Sequence, residues 1–337
     1  MSKTSQIDSE KPTRKSSSTL LSKAKMGKND EFYTQLSDIE RELWNYREHF
    51  RDKTIFCNCD DPEESNFWRY FSENFEFLWL KKLIATHFET DQPSYKLEII
   101  WDINGDGKIN KLDTIRTPLS QNGDFRSPEC IEIMKEADIV VTNPPFSLFR
   151  EYVTQLFEYE KKFLIIGNIN CITYKEIFKL IQENRAWLGL NMGRGISGFI
   201  VPTHYELYGT EARIDEKWNR IVSTNNCLWL TNLDNNKRHE GILLYKQYSP
   251  EEYPKYDNYN AIEVSKTKDI PMDYMGAMGV PITFLDKYNP EQFEILGCSY
   301  SYGEPKGYHI TGKDFSVSIN GEQIYKRLFI KNKKLNP

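Results

Sequence analysis

Asn143-Pro144-Pro145-Phe146 is the stretch of this 337-residue chain whose residue types and order best suit a reaction. Neither proline can donate to a β-ladder, and both stiffen the backbone. An amide and an aromatic ring are therefore held on a rigid turn. Such a turn suits methyl transfer to a planar, weakly nucleophilic nitrogen, either the exocyclic amine of adenine or an amide nitrogen. The lone pair of that nitrogen is delocalised into a π system. Two acceptors aimed at its N–H hydrogens favour the more pyramidal, charge-bearing transition state. The Asn143 side-chain oxygen and the Pro144 carbonyl are candidates for those acceptors, and Phe146 offers a flat apolar face for stacking. The same four residues also fit a tight strand-to-helix loop in which Asn143 only caps the turn.

The elements around the turn favour a site. Ala137–Thr142 reads as a buried strand, and a helix pattern resumes at Ser147. The turn then lies at the carboxyl end of a strand, where open α/β sheets bind ligands. Upstream, Leu36, Ile39, Leu43, Tyr46 and Phe50 predict one amphipathic helix over about 35–50. Strands follow at 54–59 and 83–86, separated by a helix over about 64–77. Residues 95–123 form a hairpin-like excursion. Ser127-Pro128 opens another helix, with Ser as N-cap and Pro at the first position. Helices over 148–159 and 173–184 flank a strand at 163–167, and later strands are expected at 186–190, 198–201 and 227–231. This alternation predicts an α/β class with a doubly wound, mostly parallel sheet. The expected domains are a basic, disordered arm (1–28), a catalytic domain (29–245) and a loop-rich portion (246–337), where Tyr, Pro, Asn and charge break the pattern.

Several other segments bear on a cofactor. Asp30-Glu31-Phe32-Tyr33-Thr34 can grip the polar amino-acid end of one, or can simply enter the first helix. The loop after the first strand, Cys59-Asp60-Asp61-Pro62-Glu63-Glu64-Ser65, has no glycine and four carboxylates. It would repel a pyrophosphate, which argues against NAD and ATP, but it tolerates a cationic sulfonium with a free amino group. Gly123-Asp124-Phe125 offers an acid and a ring for an adenine. Gly193-Arg194-Gly195 and Gly198 suggest a mobile loop near the active face. Residues 102–113 place oxygen ligands like an EF-hand loop, ending in Asp113 where Glu is usual. The flanks are wrong for an EF-hand, and the Asn104-Gly105 and Asp106-Gly107 pairs are strong hairpin-turn signals, so hairpin turns are the favoured reading.

Other chemistries find little support. No Pro-Cys dipeptide occurs, which disfavours cytosine-C5 methylation through a covalent thiolate. Five histidines without a cluster, and no CxxC, argue against a required metal. Of six cysteines, Cys57, Cys171 and Cys227 sit in or beside apolar runs, which fits a reduced, cytoplasmic setting, and no apolar run is long enough for a membrane span. The net charge of −5 hides an uneven distribution. Residues 1–29 hold seven basic and two acidic residues, and 323–337 hold five basic and none acidic, leaving −15 between them. Basic ends on an acidic body can clamp a phosphate backbone, or can be plain solvated tails.

Longer runs carry a family likeness. Asp30–Gln35, Tyr46–Phe50, Cys57–Pro62, Gly123–Ser127, Thr142–Tyr152, His204–Arg213 and Met278–Leu285 together resemble the EcoRI-type DNA adenine-N6 methyltransferases. The similarity spans Lys23 to Lys334. It implies a Rossmann-like fold that uses S-adenosylmethionine, a flipped adenine in double-stranded DNA, and a bacterial restriction–modification setting. It also implies a monomer, a cognate endonuclease acting on the same site without contact, and GAATTC as that site. Catalysis is implied for Asn143, Pro144, Pro145 and Phe146. Cofactor contacts are implied around Asp30, Phe32, Tyr33, Thr34, Asn58, Asp60, Pro62, Asp124 and Phe125. The glycine-free loop at 59–65 departs from the wider methyltransferase pattern. DNA contacts are expected from the C-terminal portion, the 193–198 loop and the basic tails, with Lys23, Lys25, Arg194, Arg213, Arg220 and Arg238 as candidates. The alternatives are an N-methyltransferase acting on RNA or protein glutamine, and a DNA-binding module with a vestigial site.

Overall fold

The computed structural model describes residues 32–90, 92–192, 195–203, 207, 212–222, 226–299 and 316–333. The basic arm with Lys23 and Lys25, together with Asp30, Gly193 and Arg194, lies outside the described residues. A short strand, β1 (Tyr33–Thr34), leads into helix α1 (Leu36–Leu43), a 3-10 turn (Trp44–Tyr46) and α2 (Arg47–Phe50). The single helix expected over 35–50 is thus interrupted at Tyr46, which has φ −112° and ψ 7°. Its apolar spacing still holds, because Ile39, Leu43, Tyr46 and Phe50 are all fully buried.

The chain then alternates strands and helices: β2 (Thr54–Cys57), α3 (Asn66–Glu73), β3 (Lys82–Thr86), β4 (Tyr95–Ile99), β5 (Ile115–Pro118), α4 (Pro128–Glu136), β6 (Ile139–Thr142), α5 (Phe149–Glu158), β7 (Lys162–Asn168), α6 (Lys175–Gln182) and β8 (Trp187–Leu188). Next come β9 (Phe199–Val201), β10 (Arg213–Ile214), β11 (Arg220–Val222) and β12 (Cys227–Thr231). Eight of these strands form the main sheet, in the order β5-β4-β3-β2-β6-β7-β12-β8. The sheet is mixed rather than mostly parallel. Only β3, β2, β6 and β7 run parallel, while β4 and β5 on one side and β12 and β8 on the other pair antiparallel. The parallel neighbours that are consecutive in the chain are joined through a crossover helix, α3 or α5, whereas β4 and β5 fold back as the hairpin expected within 95–123.

Both faces of the central strands are covered, so they read as continuous apolar runs. Phe56, Ile84, Val140, Phe163 and Ile165 point to one face, where Met134, Tyr152, Leu156 and Phe178 from α4, α5 and α6 meet them. Ile55, Leu83, Val141, Leu164 and Ile166 point to the other, against Ile39, Leu43, Phe50, Phe67 and Phe71 from α1, α2 and α3. Ser127 caps α4 by accepting from the Cys130 N–H at 3.2 Å, with Pro128 at the first position as the sequence predicts.

Three smaller sheets lie among the other described residues. β1, β9, β11 and β10 form a small antiparallel sheet. Beyond residue 245, where the pattern suggests loops, lie β13 (Ala261–Glu263), β14 (Ala277–Val280), β15 (Phe293–Cys298), a hairpin of β16 (Ser318–Ile319) with β17 (Glu322–Gln323), and β18 (Leu328–Asn332). Four of them form a sheet in the order β13-β14-β18-β15. Gln182 of α6 reaches this sheet by donating to the Leu296 carbonyl at 2.9 Å. All six cysteines are free thiols. Among the described residues no helix is long and apolar enough to cross a membrane.

Candidate active site

The fully buried strand β6 delivers Asn143 to its carboxyl end, with only 7 % of that residue exposed. Pro144 is buried behind it, and the chain turns at once into a 3-10 segment (Phe146–Leu148) and then α5. The Asn143 amide nitrogen donates to the Phe32 carbonyl at 2.7 Å. This bond fixes which way the amide faces. The Asn143 side-chain oxygen is buried and has no hydrogen-bond partner in the protein. A buried acceptor left unmade is costly and marks a place where a partner is missing. Half-buried Phe146 sits edge-on to Phe199 with ring centroids 6.1 Å apart, and Phe199 in turn meets Phe32 at 5.8 Å. Segments 111 residues apart in sequence thus converge on one acceptor and one ring.

Asn58 ties the turn to the strand beside it. The Thr142 hydroxyl donates to the Asn58 carbonyl, and the Tyr152 hydroxyl donates to the Asn58 side-chain oxygen. Asn58 is 2 % exposed, so these atoms serve the scaffold. Tyr152→Phe keeps the ring but orphans the Asn58 oxygen. It is expected to lower stability by about 1–3 kcal/mol, read as a shift of the urea midpoint.

The loop after β2 meets the demand that glycine usually meets with a cysteine. Cys59 takes the left-handed conformation, with φ 69°. Ser65 accepts from the Phe67 N–H at 3.2 Å to cap α3, and its hydroxyl donates to Asp60 at 2.9 Å. Burial pushes the Asp60 carboxyl up to about 7; the Ser65 hydrogen bond opposes the shift and neighbouring Asp61 adds to it. Asn66, the first residue of α3, donates to the Thr34 carbonyl at 2.8 Å. Thr34 is buried, and its hydroxyl has no partner. Tyr33, Pro62, Ser65 and Asn66 line a cavity of about 1350 Å³, which also runs between α3 and residues 214–219.

The third expected cofactor segment divides. Gly123 is at φ 80°, and a Cβ there would come within 1.8 Å of the His87 carbonyl oxygen, so only glycine fits. Asp124 is held in a fork by Arg126, at 2.9 and 2.6 Å, and this hydrogen bonding holds its carboxyl below the usual range. The Phe125 ring is buried in the core, edge-on to Tyr152 at 5.0 Å. Phe88, two residues past β3, is exposed, and its Cα would lie 3.3 Å from a Cβ at Gly123.

Several other candidates are engaged elsewhere. The described end of the 193–198 loop is tied to α1: Asp38 accepts from the Ser197 N–H at 2.7 Å, and Arg41 donates to the Gly195 carbonyl at 2.9 Å. Arg238 lies 3.6 Å over the Trp187 ring and donates to Asn184. Arg213 is exposed on β10. In the calcium-like loop, oxygens of Asp102, Asn104, Asp106 and Asp113 accept backbone N–H groups. Among the described residues no group of three or more His, Cys, Asp or Glu is placed to hold a metal ion.

The geometry thus presents an unfilled acceptor, a ring to stack on and an acid-rich, phosphate-averse loop around adjoining strand ends. Comparison with known proteins agrees in kind. The model of the family described as adenine-specific methyltransferase EcoRI matches residues 20–333. Type II methyltransferase M.EcoRI of Escherichia coli is 56% identical over 332 residues, covering 96% of this chain and 99% of that relative. Type II methyltransferase M.MpnI of Mycoplasma pneumoniae is 41% identical over 280 residues, covering 82% and 84%. Type II methyltransferase M.MgeORF184P of Mycoplasma genitalium is 38% identical over 330 residues, covering 93% and 98%. No solved structure matches. With the family match spanning nearly the whole chain and the turn geometry in accord with it, this protein belongs to the EcoRI family of adenine-specific methyltransferases.

Proposed function

We propose that this adenine-specific methyltransferase acts on the N6 amine of an adenine swung out of duplex DNA, with S-adenosylmethionine as donor and GAATTC as the site. The observation that carries the reading is the buried Asn143 oxygen with no partner, at the carboxyl end of β6. It lies where an amine hydrogen needs an acceptor. The Phe32 carbonyl holds the amide so that its oxygen, not its nitrogen, faces the base. The Pro144 carbonyl is the second acceptor, and Phe146 stacks on the ring. Both acceptors bind more strongly as the amine gains positive charge, so they favour the transition state over the ground state. The base must leave the stack, because the path to N6 is blocked within the duplex. The fold is then a Rossmann-like one with antiparallel additions, residues 29–245 forming the catalytic domain and 246–337 the target-recognition portion of a monomer. Transfer of tritiated methyl to random-sequence DNA, followed by mapping of methylated adenines, tests activity and target together. Label on RNA or protein but not on DNA would overturn the reading.

The residues near Asp60 fit the donor. S-adenosylmethionine supplies an electrophilic methyl on a cationic sulfonium. The Asp60 carboxylate would face this cationic ligand, and Tyr33, Thr34 and Pro62 would bound it. Ionisation of Asp60 near pH 7 then tunes the affinity. Calorimetry is expected to show binding about fivefold tighter at pH 8 than at pH 6, equivalent to roughly 1 kcal/mol of charge attraction. In Asp60→Asn the difference should vanish. The sign for stability is opposite. The folded value lies above the ordinary 3.8, so the unfolded chain ionises first and the free protein loses stability as pH rises from about 4 to about 7.

A further inference from the structure

The hairpin β10–β11 carries a tryptophan in an unusual position. Trp218 is 83% exposed, the most exposed of the large apolar side chains among the described residues, and its backbone is in the left-handed region at φ 64°. A bulky residue there is a strained choice where glycine or asparagine would be relaxed. The turn is nevertheless rigid. Asp215 accepts from the backbone N–H groups of Lys217 at 2.9 Å and Asn219 at 2.8 Å, and from the Asn219 side chain at 3.0 Å. The Trp218 N–H donates to the Asp215 carbonyl at 3.0 Å. A stiff turn thus holds a large flat ring out in water, which burial in this fold does not explain.

Its placement gives the reason. Val222 of β11 pairs with Phe199 of β9, whose ring packs on Phe146 of the reactive turn. Trp218 is four residues further along the hairpin, a reach of roughly 13 Å at about 3.3 Å per residue. That is close to the roughly 12 Å width of a DNA major groove. The hairpin also forms one wall of the 1350 Å³ cavity, through Ile214, Asp215, Glu216, Lys217 and Asn219. Arg213, Lys217 and Arg220 outnumber Asp215 and Glu216 on it, so it is locally basic on an acidic body.

We propose that Trp218 is the stacking wedge of this enzyme, inserted into the DNA stack beside the target adenine while that base occupies the Asn143 turn. An adenine that leaves the duplex exposes the faces of its neighbours, and an inserted aromatic ring replaces the lost stacking. The proposal rests on the reading that the enzyme flips adenine in duplex DNA. Trp218 does not touch the reacting nitrogen; it is a positioning residue.

The test compares two duplexes with full-length Trp218→Ala and Trp218→Phe, using single-turnover methylation at the mapped site. One duplex pairs the target adenine normally; the other sets it opposite an abasic site, where flipping is already easy. Trp218→Ala is expected to be about 10–100-fold slower than the parent on the paired duplex, the range that loss of one stacking contact gives. On the abasic duplex it should match the parent, and Trp218→Phe should fall between parent and alanine on the paired one. Enhanced fluorescence of 2-aminopurine at the target position should fall in parallel. Equal losses on both duplexes, or no loss on either, would overturn the wedge. A parent enzyme inactive on both would overturn the flipping reading instead.

Discussion

Asn143→Ala is expected to slow methyl transfer by about 10²–10³-fold while S-adenosylmethionine still binds normally, the loss typical of removing one group that stabilises developing charge. The geometry explains why the effect falls on the chemical step. The Asn143 amide nitrogen is already committed to the Phe32 carbonyl, and the oxygen alone is left unpaired. Alanine removes that acceptor without adding bulk, and the stiff Pro144-Pro145 backbone keeps the turn in shape. The proposed donor pocket, bounded by Tyr33, Asp60 and Pro62, does not include the Asn143 side chain. Single-turnover transfer of labelled methyl, paired with calorimetry of donor binding, separates the two effects. Turnover near that of the parent would sink the proposed role of Asn143, and lost donor binding would show that the turn shapes the pocket instead.

The turn was legible because its signals are local. Apolar residues before it, two prolines within it and a helix pattern after it need no tertiary knowledge, and the same holds for the Ser127-Pro128 helix start. What the sequence hides depends on partners far along the chain. Asn58 and Asp60 look alike in a polar loop, yet Asn58 is taken by Thr142 and Tyr152 while Asp60 keeps a carboxyl poised near neutrality. Phe125 reads as a ligand ring next to Asp124, but its side chain points inward to Tyr152. Spacing alone cannot tell a ring that faces the core from one that faces a cleft. The sheet beyond 245 escapes notice because its strands lie far apart along the chain, separated by stretches rich in Tyr, Pro and Asn rather than by helices.

Arg327 is the sharpest of these cases and carries the second large prediction. It belongs to the basic C-terminal run that reads as a phosphate clamp, yet its side chain is only 14% exposed. It bonds Glu263 through Nε at 3.0 Å and Nη2 at 2.8 Å. Glu263 also accepts from the Tyr256 hydroxyl and, at 3.0 Å, from the Ser265 hydroxyl. Gly279 leaves no slack, since a Cβ there would lie 2.1 Å from the Tyr256 hydroxyl oxygen. Glu263→Ala would strand a largely buried guanidinium at the start of β18, in the sheet that Gln182 of α6 reaches. The expected cost is about 3–5 kcal/mol, because breaking one side of a buried pair leaves an uncompensated charge. Chemical denaturation should show it as a lower midpoint at unchanged slope. Replacing both partners by apolar residues should recover much of the loss, as the stranded charge is then gone. If Arg327 instead served the phosphate backbone, Glu263→Ala would release it, tighten DNA binding and leave the midpoint in place. The two outcomes are opposite in sign, and the fork between Arg327 and Glu263 favours the first.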